Sequence, residues 1–185
     1  MWDLSGEIPP VRLKEFSDSI DEAAFSADGQ MVVTAGGTLA HLWRATDGSL
    51  LRVLKGHTRA VNDAEFSPDG RYVVTASYDK TARVWDTTSG RTIRVLENPS
   101  LRELENVAFS PDGRQILASG LFNTAYLWEV PSFRFLVKLS GHRDNIESAA
   151  FSPDSQRVVT ASDDGTARVF QIVTLSEIST MVGHP

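Results

Sequence analysis

The chain repeats itself about every forty residues, and that period constrains its fold more than any other feature. Phe-Ser-x-Asp occurs at Phe25, Phe66, Phe109 and Phe151, in steps of 41, 43 and 42 residues. An aromatic residue closes a later apolar run at Trp2, Trp43, Trp85, Trp128 and Phe170, in steps of 41, 42, 43 and 42. Two independent landmarks keep one period, so each period is one structural unit.

The clearest unit is Gly56 to Asp86. Ala60 to Phe66 predicts a strand that ends at Ser67-Pro68-Asp69-Gly70, where Pro presets one turn dihedral and Gly accepts a positive φ. Arg71 to Ser77 and Thr81 to Trp85 are rich in β-branched residues and predict two more strands. Tyr78-Asp79-Lys80 makes the tight turn between them. Arg91 to Leu96 predicts a fourth strand, after Thr87-Thr88-Ser89-Gly90. Four short antiparallel strands form one small sheet that cannot bury both faces by itself. It needs copies of itself on either side.

With Gly56-His57 near its start and Trp85-Asp86 at its end, the unit resembles the WD-repeat family of β-propellers, and the resemblance covers nearly the whole chain. It implies an all-β fold, a β-propeller of four-stranded antiparallel blades, with four complete blades plus part of a fifth. Residues 1–19 read as a partial blade, because Met1 to Gly6 matches Val84 to Gly90 with one turn residue fewer; Ile8 to Leu13 would be its fourth strand, restricted to an edge by Pro9 and Pro10. Blades one, two and three take residues 20–54, 55–96 and 97–139; residues 140–185 hold blade four and the start of a next repeat.

The copies differ in their landmarks. Blade one has Phe16 in the His position and a short Gly36-Gly37 turn with no Asp. Blade three has lost Gly-His from its lead-in, and its turn Gly120-Leu121-Phe122-Asn123 puts Phe122 in the Asp position. Blade four keeps His142 and Asp164 but closes its third strand with Phe170.

The composition narrows function. No cysteine is present, so neither disulfides nor thiolate chemistry are available, which suits a reducing compartment. Apolar runs are too short for a membrane-spanning helix, and the N-terminus lacks the layout of a secretory signal. The net charge of −6 argues against nucleic acid and anionic membranes, which demand clustered Lys and Arg. Four scattered His suggest no metal site, and no phosphate loop or other cofactor motif is present.

The resemblance implies a buried tetrad of His57, Thr75, Asp79 and Trp85, with Ser77 as an alternative hydroxyl on the same strand face. Blade four offers His142, Thr160 and Asp164 only, and blades one and three are expected to lack the set. A His with an Asp and a hydroxyl also fits a catalytic triad, but the repeat accounts for these residues, and they are read as structural locks. In the family, partner contacts fall beside the His and Asp positions on one rim. Carried over, they are Ser19 and Asp21; Ala60, Asn62 and Tyr78; Glu103, Glu105 and Leu121; and Asn145, Glu147 and Asp163. Five of these eleven are acidic and none is basic, although Arg59 and Arg143 lie beside them.

The expected function is therefore a non-catalytic, cytoplasmic protein–protein interaction scaffold that takes a protein or basic peptide, with no cofactor, nucleic acid or membrane. A regulatory sensor propeller of a multidomain NTPase, kinase or protease is the second class, and a propeller enzyme the last. Four blades leave an open arc, to be completed as a segment of a longer propeller (the favoured reading), as half of an eight-bladed homo-oligomer, or by closing as a four-blade ring.

Overall fold

The computed structural model describes residues 10–13, 19–98 and 100–172. Among them every regular element is a β-strand. The first sheet holds β1 (Glu22–Phe25), β2 (Met31–Gly36), β3 (Leu39–Arg44) and β4 (Leu50–Lys55). The second holds β5 (Val61–Phe66), β6 (Tyr72–Ser77), β7 (Ala82–Asp86) and β8 (Thr92–Leu96). The third holds β9 (Leu104–Phe109), β10 (Gln115–Gly120), β11 (Phe122–Glu129) and β12 (Phe135–Ser140). In the fourth are β13 (Ile146–Phe151), β14 (Arg157–Ser162) and β15 (Ala167–Gln171). Each sheet is an antiparallel meander in chain order. A fourth strand of the last blade would lie outside the described residues.

The first turn of each blade is built the same way four times. In blade two the Ser67 hydroxyl donates to Asp69 Oδ1 at 2.6 Å and accepts the Tyr72 N–H at 3.0 Å, while Gly70 N–H closes onto Ser67 O at 2.8 Å. Ser26 and Asp28, Ser110 and Asp112, and Ser152 and Asp154 repeat the pattern. Gly29, Gly70 and Gly113 take φ of 68–70° there, and Ser155 must hold φ 59° at the same point of blade four.

Successive blades meet along apolar seams. Val33, Ala35 and Leu42 of blade one pack with Ala64, Phe66, Val73 and Trp85 of blade two. Val74, Ala76, Ala82 and Val84 of blade two pack with Val107, Phe109, Ile116 and Trp128 of blade three. Leu117, Ala125 and Leu127 of blade three pack with Ile146 and Val158 of blade four. Alternation along each strand sends one set of side chains forward and the other back, so one sheet serves two seams. The first strands β1, β5, β9 and β13 neighbour one another in order and form the inner side of the arc. The arc is open: among the described residues no seam joins blade four to blade one.

Two expectations need correction. Residues 10–13 form no strand. Pro10 has no N–H to give a ladder. The segment instead runs over the turn of blade one, where a Cβ on Gly48 would lie 2.9 Å from Arg12 O. Phe122 is not in a turn but opens β11, paired with Gly120, so the second turn of blade three shrinks to Leu121.

Candidate functional site

Blade two carries a directional chain of hydrogen bonds through its interior. Trp85 Nε1–H donates to Thr75 Oγ1 at 2.9 Å, Thr75 Oγ1 meets His57 Nε2 at 2.7 Å, and His57 Nδ1 meets Asp79 Oδ2 at 2.8 Å. A carboxylate only accepts, so Nδ1 carries the imidazole proton and Nε2 accepts from the Thr75 hydroxyl. Burial holds the His57 imidazole below its ordinary pKa, with Asp79 opposing in part. Burial would raise the Asp79 carboxyl, but hydrogen bonds from Thr81, His57 and Thr58 outweigh it and hold the group below its usual range. Ser77 is not the bridging hydroxyl; it caps the turn by accepting Asp79 N–H at 3.0 Å and donating to Arg59 O at 3.2 Å. The His57 and Asp79 side chains are only 1% and 6% exposed, so the Thr75 hydroxyl faces no solvent-filled space in which a substrate could meet it.

Blade four repeats the chain without its first member. His142 Nδ1 lies 2.9 Å from Asp164 Oδ2, and Nε2 2.7 Å from Thr160 Oγ1. The Thr166 hydroxyl first, then the Arg143 N–H, draw the Asp164 carboxyl far below its normal range. Phe170 supplies no donor. Blade one does not lack the set entirely, as expected, but keeps half of it: Trp43 Nε1–H donates to Thr34 Oγ1 at 2.9 Å. Phe16, in the His position, lies outside the described residues. Blade three has Ala118 where the bridging Thr would be, and an aromatic stack fills the space: Phe122 lies 5.6 Å from Tyr126, and Tyr126 6.2 Å from Trp128.

The rim positions of blades two, three and four come together above these chains. The Tyr78 hydroxyl donates to Glu105 at 2.9 Å, and that carboxylate, followed by burial, raises the phenol pKa. Arg59 binds Glu103 at 2.8 Å and Tyr78 O at 2.9 Å, with its guanidinium 5.8 Å from the Tyr78 ring centre. The Asp163 carboxylate first, then weaker desolvation and the Glu105 charge, raise the exposed Glu147 carboxyl. Acidic charge is thus concentrated at the blade three–four seam, where Glu105, Glu147 and Asp163 converge. Leu121 is exposed, and Asn145 holds the Asp163 N–H through its carbonyl at 3.0 Å. Ser19 and Asp21 bind each other at 3.2 Å on the exposed surface of blade one. Ala60 gives its carbonyl to Tyr78 N–H at 2.9 Å. Asn62 points into the blade two–three seam, donating to Leu104 O at 2.7 Å.

The family of the WD domain, G-beta repeat, matches residues 48–86 and 133–171. Each match runs from just before the fourth strand of one blade to the end of the third strand of the next, and encloses a His–Thr–Asp chain. The chain carries WD repeats. Over 92 residues it is 30% identical to eukaryotic translation initiation factor 3 subunit I of Xenopus tropicalis and 29% identical to the subunit of that name from Danio rerio. Each match takes in 49% of this chain and 28% of the relative, so the chain spans less than a third of the length of those relatives.

Two carboxylates of the WD-repeat arc escaped the sequence reading. Asp63 and Glu65 on β5 reach the inner edge of β9, where Asp63 Oδ2 accepts Val107 N–H at 2.8 Å and Glu65 Oε1 accepts Phe109 N–H at 3.4 Å. Burial pushes Asp63 up to about 6, against the Val107 hydrogen bond and with help from Glu22. Burial likewise pushes Glu65 up to about 7. The available signal was two acids in Val-Asn-Asp-Ala-Glu-Phe, on an inner strand whose counterparts in blade four are Ser148 and Ala150. Among the described residues no group of three or more His, Asp or Glu side chains is placed to hold a metal ion. At the end opposite the rim, a cavity of about 440 Å³ lies between blades three and four, walled by Leu127, Leu136, Val137 and Ile172.

Proposed function

We propose that this WD-repeat chain is a non-catalytic scaffold that binds a basic peptide or a Lys/Arg-rich protein loop on the rim of blades two to four, and whose propeller is completed by further blades. One observation carries the reading: Tyr78, Glu105, Glu147 and Asp163 converge on one surface although they come from three separate repeats. Acidic groups gathered there attract a basic ligand, speed its association and lose that effect over roughly 8–10 Å as salt is added. Tyr78 supplies an aromatic anchor held in place by Glu105 and Arg59. The same charge disfavours DNA, RNA and anionic lipid. The similar proteins named above are subunits of an initiation factor, which agrees with a role inside an assembly. The absence of cysteine suits action in the cytoplasm. The His–Thr–Asp chains are assigned to stability, since neither hydroxyl is open to a substrate.

The test is a peptide array probed with the chain and with its Glu103→Lys, Glu147→Lys double variant. Binding of Lys/Arg-rich peptides should fall at least about tenfold on charge reversal and weaken with salt. Binding unchanged by both would reject this rim as the site.

A further inference from the structure

The surface of blade four repeats a surface that blade two keeps buried. Val159 and Ala161 on β14, with Ala167 and Val169 on β15, occupy the positions of Val74, Ala76, Ala82 and Val84, residue for residue. Those four of blade two are 0% exposed, whereas Val159 is 43% and Val169 67% exposed. What covers the blade-two face is known: β9 lies on β6, with Phe109 and Val107 seated in the seam. The other seams agree, since β5 lies on β2 and β3, and β13 on β10 and β11. The matching element at the far end of the arc is β1, and its aromatic residue, Phe25, is 69% exposed. Ala23 is exposed beside it. Val32 and Trp43, on the same side of blade one, are buried, so the open part of that side is the β1 part.

The chain therefore carries both halves of one seam at opposite ends of its arc. We propose that a second copy of this chain covers the blade-four face: β1 of one copy lies across β14 and β15 of the other, with Phe25 seated on Val159 and Val169. No charge is buried by the contact, because Ala23, Phe25, Val159, Ala161, Ala167 and Val169 are all apolar. A head-to-tail contact of this kind closes when the rotation permits. Two four-bladed copies joined twice fall at the upper end of the roughly four to eight blades that propellers use. The proposal rests on the reading above that further blades complete the propeller, and it names their source.

Sedimentation of the 185-residue chain across micromolar concentrations tests it, alone and as the single variants Phe25→Glu and Val169→Glu. The parent should dimerise, and each variant should dissociate at least about tenfold more readily, with its circular dichroism unchanged because both sites are exposed. An equimolar mixture of the two variants should recover a dimer, since the intact Val169 of one copy meets the intact Phe25 of the other. Ala167→Arg replaces Val169→Glu should the latter unfold. A parent that stays monomeric overturns the proposal and leaves the face to further repeats of a longer polypeptide. Loss of the dimer in Val169→Glu but not in Phe25→Glu also overturns it, because blade four would then pair with itself. A monomer that still shows salt-sensitive peptide binding at Glu147 would sink the dimer alone and leave the rim reading standing.

Discussion

Blades two and four share a His, a Thr, an Asp and one apolar face in different surroundings. Both run His, Thr and Asp through their interior at matching distances, 2.7 and 2.8 Å in one and 2.7 and 2.9 Å in the other. The chain of hydrogen bonds therefore depends on residues within the blade and forms without a following neighbour. The apolar face behaves otherwise. Val74 and Val84 are buried because β9 covers them, while Val159 and Val169 stand open. A repeat can thus supply its own polar order, but its apolar burial belongs to the pair of blades.

Substitutions can pull this comparison apart. The largest expected effect is Asp79→Ala. It leaves His57 Nδ1, Thr58 N–H and Thr81 without their acceptor and should cost about 3 kcal/mol of unfolding free energy. Asp164→Ala breaks a chain with no indole member and should lower the melting temperature less than Asp79→Ala does, while Asp69→Ala in its exposed turn should cost under about 1 kcal/mol. Equal melting shifts for Asp79→Ala and Asp69→Ala would remove the tetrad from this account.

The next effect concerns pH and is confined to the blade two–three seam. Folding raises the Asp63 and Glu65 carboxyls, so the folded chain holds protons that the unfolded chain releases above about pH 4. Stability from these two groups is complete below that point and is lost as pH climbs through about 6 for Asp63 and about 7 for Glu65. The Asp63→Asn, Glu65→Gln variant should gain on the parent by about 2 kcal/mol between pH 5 and 8, given about 1.4 kcal/mol per pKa unit and partial solvent screening. Thermal melts at the two pH values measure the gain, and parallel profiles would contradict it. The smallest effect is Phe170→Trp, which gives Thr160 the indole donor that Thr75 has. It should stabilise blade four by about 1 kcal/mol, with a blue-shifted tryptophan emission as the local sign.

Most of the fold is legible because the repeat fixes strand count, order and turns at once. The strands of blade two lie within a residue of their predicted bounds. The chains of hydrogen bonds were legible for the same reason, down to the choice left open between Thr75 and Ser77. Strand alternation puts both hydroxyls on one face, and only the distance to His57 separates them. Part of what stayed hidden lies between blades. Asp63 and Glu65 look like solvated strand residues until β9 arrives beside them. The Thr34–Trp43 pair was overlooked because blade one has lost its other landmarks, although the pair needs nothing beyond its own hairpin. The repeat alone puts Phe122 of blade three in a turn, at the Asp position. Pairing with Gly120 draws it into β11 instead, over Tyr126.

Among the described residues the seams run only between blades adjacent in the chain, and that has a consequence for how the molecule comes apart. Each blade resembles a site in a one-dimensional lattice, with its own free energy and a coupling to the next. Blade two carries two such couplings among the described residues, and blade four one. In the dissociated chain, denaturant should therefore erode the arc from blades one and four inward, and amide hydrogen exchange should be fastest in β1, β14 and β15 and slowest in β6 and β10. Where the couplings are weakened, cooperativity is lost before structure is.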